Sequence, residues 1–399
     1  MTTSLPADRL IAAVARVVPE ALELSHRVHA NPEVAFEERQ ASAWTAGLLE
    51  RHGFEITRPA GGLETAFVAR WPGRGGGHVI AFAGEYDALP EVGHGCGHNL
   101  MCSSSAGAAI ASAQALGHDY DGEIRFIGTP AEEAGNGKVH LIRAGVFDEV
   151  DVCLQIHPAD NTSSEVLSLA ITEVRITFRG KLAHASADPW LGKNALDAIV
   201  LFYTMISQWR QHLKPGERVH GIITRGGAAP NIVPDLTTGR WYLRSPVDED
   251  LEPMIDRFRA MAAAAAAATG CTVEVVEDEA SRCRTMLNNP TLLEIWRRHL
   301  ADAGLTDGLT DPNAGSTDMT NVSHELPTIH PYLAIAPPGT PGHSHEFAAH
   351  AGGPDGDEML PKAIAVLAAT AVELLTRPEL VDRAWDELRA QGGGRRRGS

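Results

Sequence analysis

Cysteine is scarce in this chain of 399 residues, and long apolar runs are missing from it. An odd, sparse set of cysteines does not suit the disulfide framework of a secreted protein; the five are Cys96, Cys102, Cys153, Cys271 and Cys283. No run reaches the roughly 18–20 apolar residues that span a bilayer. The first ten residues carry neither the basic nor the apolar region of a secretory signal. We therefore expect a cytoplasmic protein with no membrane partner.

Basic residues are also in the minority. There are 34 Lys and Arg against 51 Asp and Glu, which gives a formal net charge of −17. A field of this sign repels phosphate backbones and anionic membrane surfaces. The composition therefore argues against nucleic acid as a partner. Its hydrophobic share of 44% is ordinary for a globular protein, and the length suits two domains or one domain with an insertion.

Buried strands alternate with helices in much of the chain. Short continuous apolar runs are typical of strands covered on both faces in a parallel sheet; they occur at 79–83, 124–127, 150–156 and 332–336. Helical spacing occurs at 10–28, where we predict a break at Pro19, and at 41–52 and 99–116. The pattern predicts an α/β domain with a mainly parallel sheet and helices on both faces.

The middle of the chain has a different pattern. A ferredoxin-like order of strand, helix, strand, strand, helix and strand is predicted over 171–178, 195–209, 219–224, 236–243, 251–268 and 271–276. We therefore predict a small α+β domain at 170–285. It is inserted into a larger catalytic α/β domain formed by 1–169 and 286–399.

Each of the four buried runs leads into side chains that bind metals or transfer protons. In chain order these are Glu85, Asp87, His94, Cys96 and His98 after the first run, Glu132 and Glu133 after the second, His157 after the third, and His343 and His345 after the fourth. Ligand sites in open α/β sheets lie beyond the carboxyl ends of the strands. The sequence therefore predicts one site at this edge of the sheet.

Each residue also has an ordinary structural explanation. A lone histidine at a strand end is more often a hydrogen-bonded or surface residue, and we keep that interpretation for His94 and His345. Adjacent glutamates often mark a solvated helix start, and Cys96 alone suits a small buried residue. The coincidence of the motifs, together with the glycines flanking Cys96 and His98, favours metal binding.

Thiolate, imidazole and carboxylate donors in one place suit divalent transition ions. There are more donors than one ion requires, and Cys96 is placed to bridge two ions. We therefore expect two ions roughly 3.5–4 Å apart. One of the two adjacent glutamates can then bind an ion, while the other is free to take a proton from a bound water.

A series of motifs supports a family resemblance. The motifs are HANPEVAFEE (29–38), GEYDALP (84–90), GHGCGHN (93–99), PAEE (130–133), PNIVPD (230–235), GSTDMTNVSH (315–324) and PGHSHEF (341–347). In this order they resemble the dinuclear metallo-amidohydrolase family of aminoacylases, auxin-conjugate hydrolases and carboxypeptidases. They are most similar to the branch of aminobenzoyl-glutamate hydrolases and dipeptidases. The resemblance covers nearly the whole chain.

The resemblance implies roles for single residues. The implied metal ligands are Cys96, His98, Glu133, His157 and His343. Glu132 corresponds to the general acid/base, and Asp87 to a carboxylate that orients a ligating histidine. The cofactor would be two divalent ions, zinc or manganese, with cobalt also compatible. The inserted domain would be a lid and dimerisation domain, so a homodimer is expected.

The chain departs from the family pattern at three places. It has Glu85-Tyr86-Asp87 where relatives often have Asp-Met-Asp, and Asn99 where Asp is common. Trp190 stands where many relatives have a lid histidine that steadies the oxyanion. We therefore expect substrate contacts from His184 and Asn231.

The implied reaction is hydrolysis of an N-acyl or N-aroyl amino acid or a dipeptide, by attack of a metal-bound water with Glu132 as acid/base. Arg225, Arg240 and Arg244 are candidates for binding a substrate carboxylate. Two alternatives differ in class: a metal-independent hydrolase with Cys96 as nucleophile, and a non-catalytic binding protein on the same fold.

Overall fold

The computed structural model of the chain describes residues 7–310 and 315–394. The remaining residues of the predicted catalytic domain, at 1–6, 311–314 and 395–399, lie outside the described residues. The chain divides into two compact units. The first contains the described residues of Met1–Leu167 and Met286–Ser399, and the second is Ser168–Thr285.

The strands are short to moderate in length. In chain order they are β1 (Glu55–Thr57), β2 (Phe67–Pro72), β3 (His78–Gly84), β4 (Gly122–Gly128), β5 (Val152–Leu154), β6 (His157–Ala159), β7 (Ala170–Arg179), β8 (Arg218–Arg225), β9 (Leu236–Ser245), β10 (Thr272–Cys283), β11 (Thr328–Ile329) and β12 (Tyr332–Ala334).

Helices account for most of the remaining regular structure. They are α1 (Ala7–His29), α2 (Arg39–Arg51), α3 (His98–Leu116), α4 (Glu132–Gly135), α5 (Gly137–Arg143), α6 (Ala195–Trp209), α7 (Asp248–Thr269), α8 (Pro290–Asp302), α9 (Met319–Glu325), α10 (His345–Ala351), α11 (Pro354–Thr376) and α12 (Pro378–Ala390). Short 3₁₀ turns occur at Pro189–Leu191 and Arg210–His212.

The main sheet of the first unit has six strands in the order β1-β2-β4-β3-β5-β11. Strands β4, β3, β5 and β11 run parallel, while β1 and β2 form an antiparallel edge. The buried runs at β3 and β4 have the register His78 opposite Gly122 through Gly84 opposite Gly128. Because the two strands end level with each other, the segments that follow them start side by side. This mixed α/β architecture agrees with the predicted fold class.

Helix α1 corrects one prediction. The sequence predicts a break at Pro19, but α1 is one helix from Ala7 to His29 with Pro19 inside it. A proline in a helix interior costs roughly 3 kcal/mol. The buried face of α1, which packs on α3 and α11, offsets that cost; it contains Ala13, Val17, Ala21, Leu24 and Val28.

Helix α3 lies at the centre of this core. All of its side chains except Gln114 are buried. Its Ala, Ser and Gly content permits this, because a side chain at Gly107 would collide with Ile364 of α11. The helix begins at His98, so the core holds the start of α3 in place.

Helix α11 has the length and composition of a membrane span. It has 23 residues, and an 18-residue window has a mean hydropathy of 1.6. The apolar runs of the sequence predict no such segment. In the structure 61% of that window is buried, and α11 contacts α1, α3 and α8. The burial is that of a core helix in a globular protein.

The fourth apolar run differs from its prediction. Strand β12 (Tyr332–Ala334) does not join the main sheet but pairs with β6 in a separate parallel ladder. The short strand β11 completes the main sheet instead, beside β5. Strand β5 of the main sheet is followed after a few residues by β6 of the separate ladder, and β11 is followed in the same way by β12. His157 of β6 therefore lies opposite Tyr332 of β12.

The second unit is a four-stranded antiparallel sheet with two helices. Its strand order is β10-β7-β9-β8, and α6 and α7 pack on the sheet and on each other. Alternating residues of β7 and β9 face these helices, among them Val174, Ile176, Phe178, Trp241 and Leu243. The element order is the ferredoxin-like one that the sequence predicts.

Candidate metal centre and active site

The ends of β3 and β4 bring the predicted carboxylates together. Thr129 N donates to Gly84 O at 2.9 Å, so the segments after the two strands remain adjacent. Ala131 then adopts a left-handed backbone with φ of 61°. Its N–H donates to Glu38 Oε1 at 2.8 Å. The buried Glu38 carboxylate thus supports the turn that presents Glu132 and Glu133.

Asp87 links the two segments. Its Oδ1 lies 3.1 Å from His98 Nδ1, and its Oδ2 accepts the Glu133 N–H at 2.9 Å. The His98 ring is held through Nδ1, which leaves Nε2 available to face an ion. Asp87 therefore occupies the orienting position that the resemblance implies.

Cys96 lies at the centre of the donor cluster. Its Sγ is 3.3 Å from His157 Nε2, and a group of ligand atoms within 4.8 Å of one another contains Cys96, His98 and His157. The left-handed Gly97, with φ of 79°, makes the turn between Cys96 and His98. A side chain there would meet Pro158, so the turn requires glycine.

A second group of donors shares the same sulfur. It contains Cys96, Glu133 and His343, again within 4.8 Å. His343 Nε2 lies 3.5 Å from Glu133 Oε2, and the His343 N–H donates to Gly95 O at 2.9 Å. The structure therefore brings together all five predicted ligands, in two triplets that meet at Cys96.

These residues fit a pair of divalent ions. His98 Nε2 and Glu133 Oε1 are buried and have no hydrogen-bond partner. Buried polar atoms without partners are costly unless an ion or water satisfies them. A sulfur shared by two triplets is the donor arrangement expected of a bridging ligand.

Glu132 lies beside the cluster with a side chain only 10% exposed. Its Oε2 is 4.0 Å from His98 Nε2. Burial raises the pKa of Glu132 well above its usual range, and the carboxylates of Glu85 and Glu133 raise it further. A carboxylate with a raised pKa is suited to accept and return a proton near neutral pH.

The Cys96–His157 pair is also the contact that a cysteine nucleophile would need. However, burial raises the pKa of the Cys96 thiol, and Glu133 raises it further. Burial lowers the pKa of His157 to about 4. Reactive cysteines have a lowered pKa, so these surroundings disfavour a nucleophilic thiolate in the absence of a cation.

Three charged residues beside the cluster are absent from the predicted set of ligands and catalytic residues. Lys138 is fully buried, and its Nζ contacts Glu85 Oε1 at 2.5 Å and Asp318 Oδ1 at 2.6 Å. Burial alone would raise the pKa of Glu85, but Lys138 and His98 lower it to about 2. Glu85 follows the first buried run and was visible as a candidate. Lys138 carries no sequence signal, because a lysine is normally exposed.

His330 is a further buried neighbour that the sequence did not indicate. Its ring centroid lies 5.5 Å from that of His157 in an edge-on arrangement, and neither ring nitrogen has a hydrogen-bond partner. Burial lowers the pKa of His330 to about 3. The two histidines set aside from the sequence lie elsewhere: His94 contacts Val28 O and stacks on His29, and His345 starts α10.

The predicted substrate contacts belong to the second unit. His184 forms an isolated bridge with Ile232, and Ala185 N donates to Asn231 O at 3.0 Å. The exposed His184 and Asn231 are therefore neighbours. Trp190 is 73% exposed. Of the candidate arginines, Arg240 forms an ion pair with Glu173.

An α/β fold that presents thiolate, imidazole and carboxylate donors beside a free glutamate defines a metal-dependent hydrolase. Residues 81–373 match peptidase family M20/M25/M40. The chain belongs to this family, and it is an enzyme that hydrolyses amide bonds, as the sequence predicts.

Known relatives agree with this assignment. The chain is 36% identical to the Xaa-Arg dipeptidase of Mus musculus over 92% of this chain and 88% of the relative. It is 37% identical to one of the subunits of p-aminobenzoyl-glutamate hydrolase from Escherichia coli, over 71% of this chain and 62% of the relative. A dinuclear metal-binding M20 peptidase of Bacillus subtilis has the same fold, with a TM-score of 0.65 and 20% identity over 90% of this chain and 99% of that structure.

Proposed function

We propose that this enzyme is a dinuclear metal-dependent dipeptidase with Glu132 as its general acid/base. The observation that carries the proposal is the position of Cys96 Sγ in two triplets of donor atoms, next to the buried carboxylate of Glu132. The residues that would hold the ions are Cys96, His98, Glu133, His157 and His343, with the Cys96 sulfur common to both donor triplets. Zinc and manganese both suit this mixed donor set, and cobalt is compatible with it.

The residues divide the work of hydrolysis. When bound, the two ions supply electrophilic assistance to the amide carbonyl and lower the pKa of the attacking water. Glu132 takes the proton of that water and returns it to the departing amine nitrogen. Asp87 holds the tautomer of His98 and the backbone of Glu133, so both donors stay aligned. His184 and Asn231 are the proposed donors to the carbonyl oxygen as it gains negative charge.

We infer that dipeptides with a basic residue at the carboxyl end are the preferred substrates. The Xaa-Arg dipeptidase relative aligns over almost the whole chain, and the net charge of −17 attracts a cationic ligand and disfavours a dianion. N-acyl and N-aroyl amino acids, including p-aminobenzoyl-glutamate, are the competing class.

The substrate assignment is tested with a matched panel. Hydrolysis of Ala-Arg, Ala-Gln, Ala-Glu and p-aminobenzoyl-glutamate is followed by amino-acid release at two ionic strengths. We expect the highest kcat/KM for Ala-Arg, with a several-fold decrease at high salt because screening weakens long-range attraction. The value for neutral Ala-Gln changes little. Faster cleavage of p-aminobenzoyl-glutamate would assign the enzyme to the aroyl-amino-acid class instead.

The proposed assembly is a homodimer formed through the second unit. Strand β8 lies at an edge of its sheet, and Ile222 on it is 64% exposed. Apolar edge strands tend to pair with another chain. Analytical ultracentrifugation should give a dimer for the wild type and a monomer for Ile222→Lys, and a monomeric wild type would overturn the assignment.

A cytoplasmic location is proposed on the basis of the five free cysteines.

A further inference from the structure

A fully buried ion network lies against the donor cluster and has no part in the proposed proton transfer. Lys138, Glu85 and Asp318 each have side chains with 0% exposure. Lys138 Nζ binds one oxygen of each carboxylate, and the Lys138 backbone N–H donates to Asp318 Oδ2 at 2.8 Å. Asp318 is therefore held by two donors from one residue, while Glu85 is held through Oε1 alone.

The network carries an excess of negative charge. One ammonium faces two carboxylates, which leaves a formal charge of −1 in the interior. An uncompensated buried charge is strongly unfavourable, and a metal ion bound at His98 would supply the balancing positive charge. The only free oxygen in the triad is Glu85 Oε2, which is buried and has no hydrogen-bond partner.

That oxygen points to the same place as Nε2 of His98. Glu85 Oε2 lies 3.2 Å from His98 Nε2, and that nitrogen also has no hydrogen-bond partner. Glu85, His98 and Glu132 form a third group of donor atoms within 4.8 Å of one another. Two buried donors that face one point are arranged to share a cation.

We propose that Glu85 is an additional metal ligand on the His98 side of the pair, and that Lys138 and Asp318 are positioning residues that hold its free oxygen toward the ion. The inference rests on the proposed dinuclear function. The lysine separates the charges of Glu85 and Asp318, and its contact with Oε1 fixes which Glu85 oxygen faces His98. The ion in turn balances the residual charge of the triad.

The test measures metal binding directly rather than turnover alone. Glu85→Gln keeps the side-chain volume and an oxygen for Lys138 but removes the carboxylate. Metal stoichiometry and affinity are measured by chelator competition, together with the visible absorption spectrum of the Co²⁺-loaded protein. We expect the dissociation constant of one ion to rise roughly 10- to 100-fold, with an altered Co²⁺ spectrum and an unchanged second ion.

A matched control separates metal binding from general destabilisation. Glu173 is another buried glutamate, with a side chain 5% exposed between Arg240 and Arg175, and none of the candidate donor groups among the described residues contains it. Glu173→Gln should lower stability but leave both metal affinities and the Co²⁺ spectrum as in the wild type. Wild-type affinities for both ions in Glu85→Gln would overturn the proposal.

A double variant distinguishes ligation from a long-range charge effect. Glu85→Gln with Lys138→Met removes one negative and one positive charge, so the net charge of the interior stays as in the wild type. If Glu85 ligates the ion, the double variant still binds that ion weakly. Recovery of wild-type metal affinity would show that Glu85 acts only through the net charge of the interior and would overturn the proposal. If Glu85→Gln fails to fold, Glu85→Asp carries the measurement, because it keeps the charge of the triad but withdraws the oxygen from His98; wild-type affinity for both ions in Glu85→Asp would overturn the proposal.

The failure of this inference differs from the failure of the proposed function. A wild type that binds two ions and cleaves dipeptides, with a Glu85→Gln variant of equal affinity, contradicts only the role of Glu85. A wild type that binds no divalent ion contradicts both.

Discussion

At the scale of single residues, Glu132 and Glu133 are chemically identical neighbours with different surroundings. The Glu133 carboxylate faces His343 and lies in a donor triplet with Cys96, and its N–H is held by Asp87. Glu132 is outside both triplets that contain Cys96, and burial, together with nearby carboxylates, raises its pKa. Both glutamates begin α4, and consecutive side chains on a helix point in different directions.

A pair of substitutions tests this division. Glu132→Gln should lower kcat by about 10²- to 10⁴-fold, because proton transfer in the transition state is lost, while the metal content stays at the wild-type value. Glu133→Gln is the matched comparison and should lose bound metal. The two readouts are amino-acid release and elemental analysis. Wild-type turnover in Glu132→Gln would remove Glu132 as the base.

Glu38 gives a pH-dependent prediction. It is fully buried, and burial together with Asp87 raises its pKa from about 4.5 to about 7. At a pH between these two pKa values, Glu38 is protonated in the folded state but ionised in the unfolded chain. The free energy of unfolding therefore decreases as the pH rises from about 4.5 to 7. The lost stability amounts to at most about 3 kcal/mol.

Glu38→Gln removes this titration while keeping an oxygen for the Ala131 N–H. When the pH is raised from 5 to 8, the free energy of unfolding of the variant should therefore increase relative to that of the wild type. Urea unfolding at the two pH values measures it. A difference that does not change with pH would show that Glu38 is ionised throughout this range.

At the scale of elements, the strands and helices with strong patterns were predictable. Strands β3 and β4 are short apolar runs buried in the sheet, and α6 begins and ends at the predicted residues. The rule that strand ends converge predicted a donor cluster at one sheet edge, and the family resemblance supplied the five ligands within it. These features depend on local sequence and on general rules of sheet topology.

What the sequence did not predict depends on distant contacts. Pro19 indicates a helix break locally, but the packing of α1 on α3 and α11 overrides it. Lys138 reads as a surface residue until the fold places Glu85 and Asp318 beside it, more than 50 and 150 residues away in the chain. The division of 328–334 between two ladders likewise results from pairing with β5 and β6, which no local pattern encodes.

Pro19 provides a test at this scale. Pro19→Ala restores a backbone donor in the middle of α1, so we expect the free energy of unfolding to rise by about 1–3 kcal/mol. Urea unfolding by circular dichroism measures the change. A stability equal to or lower than that of the wild type would mean that the packing of α1 depends on the geometry that Pro19 imposes.

At the scale of the whole molecule, the chain separates two tasks. The first unit holds the described donor residues and Glu132, on a parallel-rich sheet whose strand ends converge. The second unit contains His184 and Asn231, for which substrate contacts are proposed, and the proposed dimer surface. The strongly acidic composition gives the molecule a negative field, which supports the proposed preference for cationic dipeptides. The central claim is that two divalent ions, held around Cys96, are required for amide hydrolysis.

One measurement tests that claim most directly. The metal content of the purified enzyme is determined by elemental analysis, and hydrolysis of Ala-Arg is assayed before chelation, after chelation and after Zn²⁺ or Mn²⁺ is restored. We expect about two ions per chain, as in a two-metal hydrolase, and activity that is lost with the metal and returns with it. Hydrolysis that continues at full rate in the metal-free protein would show that the ions are not required and would point to Cys96 as a nucleophile.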